Sequence, residues 1–275
     1  MMPRILSLKV QGNSHKRDDI PCQDSYRIQR LKTMSAVILA AADGHGSKSC
    51  PHSADGAEIA VDAFCKIMEK LIKSYKDNEA ALFDYLVKCP MDVCRKVENL
   101  WKDNVCRNYS DKSKDAGLFR DLSDEDIHLL YGTTLMGVVI SPQIIFAMQI
   151  GDGDIAFIDE SGVSKLVETG NHLGVETYSL ADRDAWKKSV VSVRRFETIA
   201  QVPSFAIILT TDGFANSYMN DNAYSDALIG YFNAIKENGA DAVERNLEQW
   251  LEETSGDGCG DDITMIIAWY GAAGK

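Results

Sequence analysis

Three apolar runs of this chain each lead into an aspartate set beside glycine, and that repeated junction restricts the fold more than any other feature. The first is Ala36-Val37-Ile38-Leu39-Ala40-Ala41-Ala42, which ends at Asp43-Gly44. The second is Ile144–Ile150, followed by Gly151-Asp152-Gly153, and the third is Ala206–Thr211, followed by Asp212-Gly213. An unbroken apolar run bounded by turn residues has the form of a fully buried strand. One Asp-Gly after a strand is ordinary turn chemistry. Their repetition, with Asp261-Asp262 set before the apolar run Ile263–Tyr270, places carboxylates at one strand end after another.

The pattern between these junctions predicts an α+β fold in a single domain spanning residues 1–275. Leu6, Leu8 and Val10 alternate with polar residues, as in a half-buried strand. Thr133–Ile140 and Ile144–Ile150 flank Ser141-Pro142-Gln143, a hairpin signal. Ile155–Ile158 follows a further turn, and Val190–Phe196 adds another strand. Short turns between strands imply antiparallel pairing. Helices come in groups: Ala57, Ala60, Val61, Phe64, Met68 and Ile72 share one face, and Val93, Val97, Trp101 and Val105 share another. Two more helices are expected after Asp212-Gly213, the second with Val243, Leu247 and Leu251 on its apolar face. The polar stretch from Asn108 to Asp126 reads as a mobile excursion, closed by a capping box at Ser123. Leu173–Lys188 reads as irregular cover.

Charge and cysteine content exclude several functions. Lys plus Arg is 29 and Asp plus Glu is 41, a net charge of −12. Such a chain repels nucleic acid and anionic lipid unless it carries a basic patch, and its basic runs are no longer than pairs such as Lys187-Lys188 and Arg194-Arg195. Seven cysteines without a CxxC pair disfavour a zinc ribbon or a secreted disulfide framework. The opening residues lack a secretory pattern and the longest apolar runs are far short of a membrane span, so a cytoplasmic location is expected.

Strand ends at one edge of a sandwich would bring Asp24, Asp43, Asp152, Asp212 and Asp261 together. Carboxylates crowded into a dry site raise one another's proton affinity unless cations intervene. Hard dications with oxygen ligands answer that need, which favours Mg²⁺ or Mn²⁺ over Zn²⁺. Glycine after Asp43, Asp152 and Asp212 allows close backbone approach, so a carbonyl can ligate as well.

The ordered set Gln23-Asp24, Asp43-Gly44-His45-Gly46, Gly132-Thr133-Thr134, Gly151-Asp152-Gly153, Thr211-Asp212-Gly213 and Asp261-Asp262-Ile263-Thr264 resembles the metal-dependent protein phosphatases of type 2C. The likeness spans nearly the whole chain, and Pro21-Cys22-Gln23-Asp24 with Glu176-Thr177-Tyr178 looks closest to the bacterial branch. It implies a four-layer α-β-β-α sandwich of two packed antiparallel sheets flanked by helices. It also implies hydrolysis of phosphoserine and phosphothreonine by a hydroxide bridging two Mn²⁺ or Mg²⁺ ions, with a third, weaker ion. By the same resemblance Asp43 bridges the metals, the Gly44 carbonyl and the side chains of Asp212 and Asp261 ligate, Asp24 completes the cluster, and Asp152 helps hold the third ion. His45 matches the general acid for the leaving group. The implied partners are phosphorylated proteins and a cognate serine/threonine kinase. Direct attack by water needs no phosphoenzyme and so no Cys-x5-Arg loop.

One position departs from the family pattern. Many members carry an arginine five residues before the first aspartate, and here that residue is Asp19. Arg17 and His15 are the candidates to contact substrate phosphate in its place. The rival reading is a catalytically inactive phosphatase fold that serves as a binding module. It is disfavoured because every metal-type aspartate is present.

Overall fold

The computed structural model describes residues 2–115, 122–168 and 177–271. Strands β1 (Arg4–Val10), β2 (Ser25–Arg30) and β3 (Val37–Ala42) open the chain, with a short helix α1 (Asn13–Arg17) after the first. Helices α2 (Ser53–Tyr75), α3 (Glu79–Lys88), α4 (Pro90–Asp115) and α5 (Asp124–Leu130) follow. Then come β4 (Leu135–Ile140), β5 (Ile144–Ile150), β6 (Asp154–Asp159), β7 (Gly162–Lys165), β8 (Val190–Arg195) and β9 (Phe205–Thr210). The chain closes with α6 (Asp212–Ala215), α7 (Asp221–Asn238), α8 (Ala240–Asp257) and β10 (Ile263–Tyr270).

Two five-stranded sheets result, ordered β1-β10-β9-β6-β7 and β2-β3-β4-β5-β8, with every pairing antiparallel. Alternation along β3 explains the layers. Val37, Leu39 and Ala41 pack between the sheets with Met136, Phe157, Ile207 and Ile266. Ile38, Ala40 and Ala42 face outward onto Ala60, Phe64 and Met68 of α2 and Trp101 of α4. On the far side Leu6, Ile208 and Ile267 meet Leu228 and Phe232 of α7 and Leu247 and Leu251 of α8. Helices cover both outer faces, so antiparallel strands here read as unbroken apolar runs, a pattern more usual in parallel sheets. The α+β sandwich of two packed sheets flanked by helices is the fold that the sequence implies.

Register places all the aspartate junctions at one end. Thr210 at the end of β9 pairs with Met265 near the start of β10 and with Asp154 at the start of β6. Val10 at the end of β1 pairs with Ile263. In the second sheet Ala42 pairs with Ser25, and Leu135 pairs with Ile150. Asp24, Asp43, Asp152, Asp212 and Asp261 therefore leave their strands at the same edge.

Several expectations need correction. Residues 108–115 are not a loop excursion but the last turns of α4, supported there by the ion pair of Lys112 with Asp55 on α2. The remainder of that polar stretch up to residue 121 lies outside the described residues, as do residues 169–176 of the expected cover and its flank. Ser123 caps α5 as expected, accepting a hydrogen bond from Asp126 N at 3.2 Å. The turn at residues 151–153 does not join paired strands: β5 and β6 belong to different sheets. The two helices expected after Asp212-Gly213 are α7 and α8, with Val243, Leu247 and Leu251 buried on the second, while Asp212 itself begins the one-turn α6.

Candidate active site

Asp43 is the first residue beyond β3, and the start of the next sheet strand holds its backbone. Its N–H donates to Thr134 Oγ1 at 3.0 Å, and its carbonyl accepts from Thr134 N and Thr133 Oγ1, each at 2.8 Å. The side chain is left free to point off the sheet edge. A Cβ on Gly44 would stand 2.6 Å from the carbonyl oxygen of Ser53 at the head of α2, so only glycine fits there. Gly213 is pressed in the same way against the carbonyl of Asp262. The glycines beside the aspartates thus serve close approach of backbones, as their positions in the sequence suggest.

Asp212 opens α6, and Asn216 Nδ2 donates to its Oδ2 at 2.9 Å. Asp24 lies deeper, 2% exposed; its Oδ2 accepts from Thr211 Oγ1 at 2.8 Å, while its Oδ1 is buried without a hydrogen-bond partner. Asp261 and Asp262, adjacent in sequence, play different parts. Asp262 is buried and acts as a clasp, accepting from Gly12 N and Gln23 N at 2.7 Å each and facing His15 Nδ1 at 3.0 Å. It ties the turn after β1 and the approach to β2 onto the start of β10. Asp262→Ala would leave two backbone donors unpaired in the interior, and is expected to lower unfolding free energy by about 3 kcal/mol. Urea denaturation measures this; a loss below about 1 kcal/mol would contradict the clasp.

Asp43, Gly44, Asp152, Asp212 and Asp261 line one pocket of about 290 Å³, together with His15, His45 and Thr177. Asp24 sits outside its lining. Burial holds the Asp43 carboxyl well above the usual carboxylate range, and the charges of Asp24, Asp212 and Asp261 push it further. Burial, then the charges of Asp152 and Asp261, raises Asp212 to about 6. Burial raises Asp24 to about 7, against the nearby hydroxyls of Thr264 and Thr211, which lower it. Burial also lowers the proton affinity of His45, opposed by Asp152 and Asp182. These groups form a concentrated oxygen-donor set short of positive charge.

The model of the family described as protein phosphatase 2C matches residues 11–252, most of the chain. The chain belongs to the protein phosphatase 2C family. The phosphatase is 24% identical over 279 residues to serine/threonine-protein phosphatase 3 of Escherichia coli K12, covering 97% of this chain and 98% of that protein. Among solved structures it resembles the catalytic domain of the phosphatase PstP in complex with two manganese ions, with a TM-score of 0.55, 12% identity and 98% of each chain covered. It also resembles Stp1 of Staphylococcus aureus, with a TM-score of 0.59, 14% identity, and 99% of this chain and 96% of that one covered.

The phosphatase brings seven of the expected residues to this pocket and leaves two outside its lining, Asp24 beneath it and Arg17 in solvent. Both candidates to replace the family arginine lie on α1, but a helix separates side chains two apart by about 200° around its axis. His15 turns inward, with Nε2 3.7 Å from Asp261 Oδ1. Arg17 turns outward, its side chain 76% exposed beside Asp18. Thr177, which donates to Asp152 Oδ2, is a pocket residue that no periodicity marks, because it sits in an irregular segment. Cys89 and Arg95 do have Cys-x5-Arg spacing, but Cys89 caps α3 and Arg95 lies in α4 bonded to Asp92 at 3.0 Å. Residues 90–94 between them are helical, so no phosphate-cradling loop forms.

Proposed function

We propose that the protein is a metal-dependent serine/threonine phosphatase working as one catalytic unit over residues 1–275, with phosphorylated proteins as substrates. The observation that carries this is the oxygen pocket: clustered carboxylates of raised proton affinity, with a buried Asp24 oxygen lacking any partner beneath them. That donor chemistry fits hard dications such as Mn²⁺ or Mg²⁺. Asp43, Asp212, Asp261 and the Gly44 carbonyl would hold two ions, Asp24 would support them from below, and Asp152 would help hold a third, weaker one. When bound, the dications supply Lewis acidity, lowering the proton affinity of water and neutralising charge on phosphoryl oxygens.

The chain's own residues do the rest. Asp152, Thr177 and the two histidines shape a pocket mouth that admits a phosphomonoester. His15, lining the pocket with Nε2 3.7 Å from Asp261 Oδ1, is the phosphate contact in place of the family arginine. His45, its proton affinity lowered by burial, gains proton affinity when a phosphate anion enters beside it and then protonates the departing oxygen.

His45→Gln is expected to lower kcat on a phosphoserine peptide by about a hundredfold, and on p-nitrophenyl phosphate by less than about fivefold, because p-nitrophenolate leaves without protonation. Equal losses on both would remove His45 from the proton path. The function itself is tested by hydrolysis of p-nitrophenyl phosphate and a phosphothreonine peptide with Mn²⁺, Mg²⁺ or EDTA. Turnover that needs the metal supports the phosphatase. Folded protein with no turnover in any metal would support an inactive binding module instead, a reading that retention of every carboxylate otherwise argues against.

A further inference from the structure

A second cavity of about 450 Å³ lies beside the acidic pocket, between β6, β7 and the head of α7. Two links join the cavities. Asn216 lines the second cavity and donates to Asp212 of the first. Asp154 lines the second cavity two residues after Asp152 of the first, at most about 7 Å along the chain.

The lining has two characters. Val163, Ala215 and Met219 give it an apolar side, and Met219 is 97% exposed at the lip. An unbranched thioether fully in solvent is free to fold over a flexible aliphatic stem. On the polar side Lys165 is already paired with Asp154 at 2.5 Å. Asp221, exposed at the first turn of α7, has no ion-pair partner among the described residues. The cavity therefore offers an apolar wall and one carboxylate outside any ion pair among the described residues. An acidic side chain would meet Asp221 repulsively, and an apolar one would leave that carboxylate without a partner.

We propose that this cavity is a subsite for a lysine or arginine side chain of the substrate protein, within about three residues of the phosphorylated serine or threonine. The aliphatic stem lies on Val163, Ala215 and Met219, and the cationic head reaches Asp221. The proposal rests on the phosphatase reading above. It makes the enzyme selective for phosphosites flanked by basic residues, in keeping with the long-range attraction of a chain carrying net charge −12.

The test uses the full chain with Mn²⁺ and phosphothreonine peptides in which lysine is walked through about three positions on each side, with alanine elsewhere. The readout is kcat/KM for each lysine peptide relative to the all-alanine peptide. At one or two positions the ratio should reach about fivefold, the size of a partly screened charge pair. Asp221→Asn, which keeps side-chain shape, should bring the ratio near one, and Met219→Ala, at a fully exposed site, should reduce it. Asp241→Asn removes the same charge on the distant α8 and should keep the ratio. A ratio unchanged in Asp221→Asn, or equal losses in Asp221→Asn and Asp241→Asn, would overturn the subsite. Hydrolysis of every peptide without positional preference sinks the subsite alone. Hydrolysis of none sinks the phosphatase reading, and the subsite with it.

Discussion

Asp43→Asn is expected to lower kcat/KM for p-nitrophenyl phosphate by about a thousandfold or more, and at the same time to raise the melting temperature of the metal-free protein. Both effects come from one carboxylate. Asp43 faces the charges of Asp24, Asp212 and Asp261 in a buried setting, and that repulsion opposes folding when nothing neutralises it. One unit of raised pKa corresponds to about 1.4 kcal/mol. Replacing the central acid with a neutral isostere relieves about 1–2 kcal/mol in the metal-free state, which is roughly 3–6 °C for a chain of this size. The same acid is the proposed bridging ligand, and losing about 4 kcal/mol of transition-state stabilisation gives the thousandfold drop. Differential scanning fluorimetry in EDTA, run beside the kinetic assay, checks both. A variant that loses activity and also melts lower without metal would mean that Asp43 is structural.

The second large effect is a pH dependence of stability that metal reverses. Asp24, raised to about 7, and Asp43, raised well above the usual carboxylate range, hold protons in the folded chain that an unfolded aspartate of 3.8 has long released. A raised pKa contributes stability that is lost as pH climbs through the folded value. His45, His52 and His128 have lowered values and act in the opposite sense, but only below their unfolded value of 6.5. Between about pH 6.5 and 7.5, where Asp24 releases its proton, the carboxylates therefore dominate, and EDTA-treated protein should lose about 1 kcal/mol across this range. Saturating Mn²⁺ should remove the slope, because ionised carboxylates then have a partner. Melting curves at four or five pH values, with and without Mn²⁺, give the answer. A flat profile in EDTA would show that the acids do not share one desolvated site.

How much of this could be read beforehand depends on which interactions leave a period in the sequence. Runs such as Val37–Ala42 announce buried strands, and their aspartate ends announce the pocket, because antiparallel strands with odd and even neighbours return carboxylates to one edge. Sheet membership was not legible. β5 and β6 are buried on both faces, so no alternation says that the short turn between them crosses from one sheet to the other. α3 and β7 are too short to leave a convincing pattern, and the solvated end of α4 looks like a loop because among its described residues none beyond Tyr109 packs on the core. In the site, Asp261 and Asp262 are the same residue type side by side. Only the three-dimensional partners, Gly12 and Gln23, distinguish the clasp from the pocket acid. Arg17 was a reasonable cation by proximity in sequence, and helical geometry turned it outward while turning His15 in.

The central claim is that the pocket of Asp43, Asp212 and Asp261 is a dication centre. Diffraction at the manganese absorption edge from crystals soaked in Mn²⁺ tests it most directly. The account predicts anomalous peaks inside that pocket, at metal–oxygen bonding distance from these carboxylates and the Gly44 carbonyl, and none of them in the Asp212→Asn variant at the same strength. Well-ordered crystals whose pocket shows no anomalous density, or whose peaks fall only elsewhere on the acidic surface, would contradict it.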